Sequence, residues 1–300
     1  MAESGLYGMT SAWLAEARLE PPAPVPMDRA PPPPWPDFCP AQPLRSRREL
    51  VARTVTADVL PRLTLARRGT PGRAGPDGVA PAAAVAELAD IAIAKGAASA
   101  LAFAQRAQAR GMSLEALYLD LLAPAARHLG VLWTDDVVDF TQVTIGLGRL
   151  QQVLRQLSPA FQSGVVPHGT GRHALLVPAP GEQHTFGLSM VTEFFRRAAW
   201  SVWSGVPATP AELGSIVRDN WFAIIGFSLG AEVRLDGLRA GIRRVRQVSQ
   251  NRGVGIMVGG PLFIEHPELV AQVGADATAA DGRQAVSQAQ TLLTLLPGCV

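Results

Sequence analysis

A chain of 300 residues is long enough for two domains, each with its own core. A formal net charge of +2 leaves no strong electrostatic footprint for nucleic acid, and the two cysteines, Cys39 and Cys299, form neither a C-x-x-C pair nor a zinc ligand set. Hydrophobic residues make up 48%, but much of the excess is alanine. No uncharged run reaches the roughly eighteen residues of a membrane span, so the chain is expected in the cytoplasm, with no membrane contact.

Eleven of the 25 prolines fall between Pro21 and Pro43. Proline fixes φ and removes an amide donor, so residues 1–44 are expected to form an extended, disordered tail, a solvated leader in which Trp35 and Phe38 amid the prolines are the one hint of docking on a partner. From Arg45 apolar residues recur at three and four (Leu50, Val51, Val55, Val59, Leu60, Leu63), and the period predicts a helix. Beyond a Gly/Pro stretch the same pattern predicts helices over Ala82 to Gly96 and Ala97 to Arg110. Another follows over Leu114 to about Gly130, capped by Ser113, and a last one over Val143 to Leu157. Short connections between amphipathic helices imply an antiparallel bundle over residues 45–160. Ser158 to Arg172, rich in Gly, Pro and Ser, reads as a linker.

Over residues 171–300 strands and helices alternate. Strands are expected at Ala174 to Val177, Trp200 to Trp203, Trp221 to Gly226, Gly255 to Val258 and Asp276 to Thr278. Helices fall between them, at about Leu188 to Ala199, Thr209 to Asn220, Leu235 to Gln250 and Pro267 to Val273, with a final one at Arg283 to Leu295. This order demands a parallel, Rossmann-like sheet with right-handed crossovers, so the fold class is α/β plus all-α. The first strand breaks at Pro178, Pro180 and Gly181, which places Glu182, His184 and Gly187 on the first crossover loop, where open parallel sheets bind ligands. A neutral imidazole oriented by a carboxylate is a good metal ligand, although a histidine in a Pro/Gly loop is also at home as a solvated surface residue.

The spacing Glu182-x-His184-x-x-Gly187 resembles the D-x-H-x-x-G signature of cobalamin-binding domains, with Glu in place of the usual Asp. The resemblance implies that His184 ligates cobalt from below, displacing the cofactor's own benzimidazole, while the carboxylate fixes the imidazole. Two later loops are similar to that family's in the right order. Ser228-Leu229-Gly230 resembles the S-x-L loop, whose serine bonds the displaced base, though Gly230 stands where Leu is usual; Gly259-Gly260 resembles the glycine turn beside the nucleotide tail. Leu129-Gly130-Val131-Leu132-Trp133 resembles the L-G-x-x-W segment of the helical cap found before many such domains, which implies that Trp133 covers the upper face of the corrin. The Glu-His that often follows is replaced by Val143-Thr144, which leaves His128 as the nearest candidate for an upper protein ligand.

The run from Asp139 to Gln151 looks like that of the PpaA/AerR regulators and the C-terminal sensor region of AppA. Such a resemblance implies a light-responsive antirepressor, not an enzyme. Its cofactor would be adenosylcobalamin or hydroxocobalamin, and its partner a CrtJ/PpsR-type DNA-binding repressor through which it reaches DNA indirectly and controls photosynthesis genes. Two alternatives share the same plan: a haem-binding sensor and a corrinoid methyl carrier. The basic helix with Arg234, Arg239, Arg243, Arg244 and Arg246 is a candidate docking face, although such charges are usually the solvated side of a helix.

Overall fold

The computed structural model describes residues 80–165, 172–207 and 209–295. The proline-rich tail and the helix expected from Arg45 lie outside the described residues. Within them the first half is helical: α1 (Ala82–Ala94), α2 (Ala97–Ala109), a long α3, and α4 (Phe140–Phe161). Gly96 and Gly111 take positive φ, at 95° and 101°, and punctuate the first two connections. Helix α3 starts at Leu114 with Ser113 Oγ accepting from the Ala116 amide, widens into a π turn over Leu117–Leu122, and continues as an α-helix over Ala123–Thr134. It therefore runs a turn past the end expected from sequence. His128 is a mid-helix residue and not a last-turn one.

Helix α4 also exceeds its expected span. Asp139 accepts from the Gln142 amide at 2.7 Å and Gln142 Oε1 accepts from the Asp139 amide at 2.9 Å, a reciprocal cap that starts the helix at Phe140. The other end passes through Ser158 and Pro159, where a linker was expected. Tertiary contacts override the proline: Phe161 is fully buried and stacks on Tyr118 with ring centroids 4.2 Å apart, and its carbonyl accepts from Arg197. Burial pushes the Tyr118 hydroxyl well above its ordinary pKa, with the nearby Glu193 charge adding to the effect, so it stays protonated and donates to the Leu154 carbonyl.

The second half is α/β: β1 (His173–Pro178), α5 (Phe186–Arg197), β2 (Ser201–Ser204), α6 (Pro210–Asp219), β3 (Ile224–Ser228), a 3-10 turn at Glu232–Arg234, α7 (Leu235–Val248), β4 (Gly255–Gly259), α8 (Pro261–Glu265), α9 (Leu269–Val273), β5 (Ala277–Ala279) and α10 (Gly282–Leu295). The five strands are all parallel in the order β2-β1-β3-β4-β5. Strand β3 begins three residues later than expected, which puts Ser228 on the strand end, and α8 was not anticipated. Leu175, Val177, Ile225, Phe227, Ile256 and Val258 pack under α6, α7 and α9; alternate residues Ala174, Leu176, Ile224 and Met257 pack under α5 and α10.

The two halves share a core. Met190 and Phe194 of α5 belong to the same buried cluster as Leu88, Leu121, Leu129, Leu150 and Phe161 of the helical half. A polar seam runs beside it: Gln151 Nε2 donates to Ser189 Oγ at 2.6 Å, and Ser158 Oγ and Gln162 Nε2 donate to Glu193 Oε2 at 2.5 and 2.6 Å. Glu115 of α3 also pairs with Arg283 of α10. Among the described residues no helix is long and apolar enough to cross a membrane.

Candidate cofactor site

The strand order reverses between β1 and β3, because the chain leaves β1 toward β2 and returns on its other side. That switch point opens a crevice at the carboxyl ends of the two strands. The loops after β1, β3 and β4 meet there. The Ala179 amide donates to the Ser228 carbonyl at 2.8 Å, and the Leu229 amide to the Gly259 carbonyl at 2.9 Å, so the three loops are stitched together by backbone.

On the first loop a turn closed by the Glu182 amide on the Ala179 carbonyl, with Gly181 at a φ of 79°, sends the Glu182 side chain inward. Its carboxylate is buried and fully engaged. Oε1 accepts from the Gln183 and His184 amides at 2.8 and 2.9 Å and from His184 Nδ1 at 2.6 Å, while Oε2 accepts from the Gly230 amide at 2.8 Å. Burial alone would push this carboxyl up, but the four donors outweigh it and hold its pKa at about 2. An ionised carboxylate can only accept, so the neutral imidazole must carry its proton on Nδ1, which leaves the Nε2 lone pair free. The His184 side chain is 75% exposed while that of Glu182 is wholly buried. The pair thus presents a fixed, outward-facing nitrogen donor.

Ser228 and Gly259 are register partners on β3 and β4. By strand alternation they share the α5/α10 face with Gly226 and Ala279; Leu176 fills the space over Gly226, 2.7 Å from where its Cβ would be, so the face is open only at the carboxyl edge, at Gly259. A Cβ added to Gly259 would meet nothing nearer than the Ala279 carbonyl oxygen at 3.9 Å. Beside this open trough the Ser228 hydroxyl is buried with no hydrogen-bond partner among the described residues. Gly260 plays a different part: at a φ of 116° its added Cβ would lie 2.1 Å from the Leu229 carbonyl oxygen, so it brings the β4 loop hard against the β3 loop. Gly187, in the first turn of α5, would place a Cβ with no protein atom within 4 Å.

The structure thus brings Glu182, His184, Ser228, Gly259 and Gly260 together. Trp133 and His128 stand apart on α3. Trp133 is half exposed and meets Phe140 edge-on, ring centroids 6.4 Å apart; His128 is half buried. Among the described residues no hydrogen bond, ion pair or ring contact joins either to the His184 loop. Of the basic helix α7, Arg239 and Arg246 are spent on the Gln272 and Gly274 carbonyls and on Asp236 and Asp276, and Arg243 and Arg244 are exposed. Two features were missed from sequence: the Gly230 amide on Glu182, and a groove of about 530 Å3 between α4 and α5. The groove is lined by Gln151, Arg155, Thr185, Ser189, Arg196 and Ser204.

A corrinoid fits this donor set. One outward imidazole nitrogen suits a metal that arrives with its own equatorial ligands, and among the described residues no three His, Cys, Asp or Glu side chains converge to hold a bare ion. The orphaned Ser228 hydroxyl beside the glycine-lined trough suits a flat, polar heterocycle carried below the ring.

Comparison with known proteins agrees. Residues 172–290 match the family described as B12 binding domain. The chain is 26% identical over 181 residues, 60% of its own length and 94% of the relative's, to an uncharacterized 20.5 kDa protein in the bchF-crtJ intergenic region of Rhodobacter capsulatus. Among solved structures, the monomethylamine corrinoid protein of Methanosarcina barkeri matches over 70% of this chain and 98% of that one, at 16% identity and a TM-score of 0.59, so the fold is shared. Residues 172–290 thus match the B12 binding domain family, behind a helical half, in a fold shared with a corrinoid protein.

Proposed function

We propose that this protein is a light-responsive cobalamin-binding antirepressor, not an enzyme, that engages a CrtJ/PpsR-type repressor. The observation that carries the cofactor half is the co-occurrence, on neighbouring loops, of the exposed His184 imidazole and a Ser228 hydroxyl buried without a partner among the described residues. A haem would use the first and leave the second without purpose. The regulatory half is supported by the relative whose gene lies next to crtJ in Rhodobacter capsulatus.

The residues would act as follows. His184, held by Glu182, would ligate cobalt; Ser228 and the glycine turn would hold the cofactor's heterocyclic base; Trp133 would shield the cofactor from solvent. A bound corrinoid would supply light-sensitive cobalt chemistry. Helix α5 begins two residues after His184 and carries Ser189, Glu193 and Arg197 into the seam with α4. A change at the cofactor therefore reaches the helical half through one rigid element, and a ligand shifts such an equilibrium only through contacts that differ between its states.

The test is reconstitution with adenosylcobalamin in the dark, then spectra before and after illumination, for wild type and His184→Ala. Wild type is expected to show a histidine-ligated spectrum that changes under light, and the variant to bind at least about tenfold more weakly. Binding of a purified CrtJ/PpsR-type repressor is then compared in dark and light. A wild type that retains no cobalamin sinks the proposal, and haem is titrated next. Retention with methyl transfer to a methyltransferase and no light response favours the methyl carrier.

A further inference from the structure

We infer that Gly230, 48 residues from Glu182 in the chain, is a positioning residue for the His184 imidazole, acting through both its amide and its lack of a side chain. The inference rests on the reading of His184 as a ligand but concerns the orientation of its ring, which exists without any cofactor.

Three observations carry it. The Gly230 amide donates to Glu182 Oε2 at 2.8 Å and is the only one of the carboxylate's four donors that comes from another loop. The other three all reach Oε1, so without Gly230 the carboxylate could swing about its own loop. A Cβ at position 230 would lie 3.3 Å from Glu182 Oε2 and 3.7 Å from His184 Nδ1. Gly230 does not have positive φ, so a left-handed backbone is not the reason for its glycine. A side chain at 230 would therefore press first on the Glu182–His184 pair and displace it.

The two departures from the usual cobalamin signature now make one change. Glu is a methylene longer than Asp, and its carboxylate occupies space that a leucine at 230 would contest. The absence of a side chain at 230 makes room for the longer acid and presents the amide that anchors its far oxygen. Because Ser228 lies two residues before Gly230, the same short loop reaches the tail trough at one end and the histidine's support at the other.

The experiment uses the full chain labelled with 15N-histidine, without cofactor, and reads the His184 tautomer from long-range proton–nitrogen correlations, assigned with His184→Ala. Hydroxocobalamin affinity is measured in parallel. Wild type is expected in the Nδ1-protonated tautomer. Gly230→Leu should mix the tautomers and weaken hydroxocobalamin binding by about tenfold or more, as loss of a ligand's supporting partner does. Gly230→Ala, a smaller intrusion, should shift both readouts in the same direction. Glu182→Asp alone should also weaken the pair, because the shorter acid cannot reach the Gly230 amide. The double variant Glu182→Asp/Gly230→Leu should recover affinity to within a few-fold of wild type. The inference is overturned if Gly230→Ala and Gly230→Leu, folded by circular dichroism, keep the wild-type tautomer, or if the double variant is no better than Gly230→Leu. Should wild type bind no hydroxocobalamin, the cobalamin reading fails while the tautomer arm still decides the role of Gly230.

Discussion

Glu182 is buried yet ionised, and its free energy depends on pH in a way that can be signed. Its pKa falls from 4.5 to about 2 on folding, so it stabilises the native state above pH 4.5 and that contribution fades as pH drops through the folded value. The size is about 3 kcal/mol at neutral pH. Denaturant unfolding of wild type and Glu182→Gln across pH 2 to 7 is expected to show a stability gap that narrows steadily below pH 4.5; a gap that stays constant would mean the carboxylate is not held by charge. At this scale the sequence was half legible. Glu182 and His184 are two residues apart, and their meeting follows from one tight loop. Gly230 meets them only through the sheet that sets β3 beside β1, and no local period announces that.

Helix α4 shows how elements follow local rules until packing overrules them. The reciprocal cap at Asp139 and Gln142 is a local signal, and Asp139→Ala should cost about 1 kcal/mol, measurable as a lower denaturation midpoint. The far end has the opposite logic. Ser158 and Pro159 signal a break, but Phe161 sits between Tyr118 and Phe194, with the Arg197 guanidinium over its ring, and the helix persists to reach them. Phe161→Ala should therefore cost about 3–5 kcal/mol, far more than any exposed change in the same turn. The strands were legible from their apolar runs and turn residues. The edges were not: β3 pairs only from Ile224, because the Phe222 carbonyl ahead of it is taken by the Asn251 side chain although Phe222 and Ala223 are buried, and α8 is too short to show a period.

At the scale of the molecule, the helical core reaches into the α/β half through Met190 and Phe194 of α5, beside the two clusters that the α/β half buries on the faces of its sheet. Phe194 belongs to the helical cluster, and its ring lies where a Cβ on Gly282 of α10 would intrude, at 2.5 Å, so α5 is clasped from both sides. Thermal unfolding followed by far-UV circular dichroism and by tryptophan fluorescence should give coincident transitions, and Phe194→Ala should lower both together; two resolved transitions would show that the halves are energetically independent. The resemblance of order and spacing along the chain made this plan readable in advance, but the sharing of one core depends on α5 facing two ways, which a single hydrophobic stripe does not reveal.

The π turn at Leu117–Leu122 adds a consequence for the tryptophan at the other end of the same helix. A π turn holds one residue more than an α turn, so all that follows is rotated by about 100° from the bearing an unbroken helix would have. Which way Trp133 points is thereby decided about four turns upstream, where the buried Tyr118 hydroxyl holds the Leu154 carbonyl of α4. Tyr118→Phe, which removes that bond and keeps the ring, is expected to alter acrylamide quenching of Trp133 without touching it. The helix works as a shaft whose phase is set at its base, and the angle of the indole is read out at its tip.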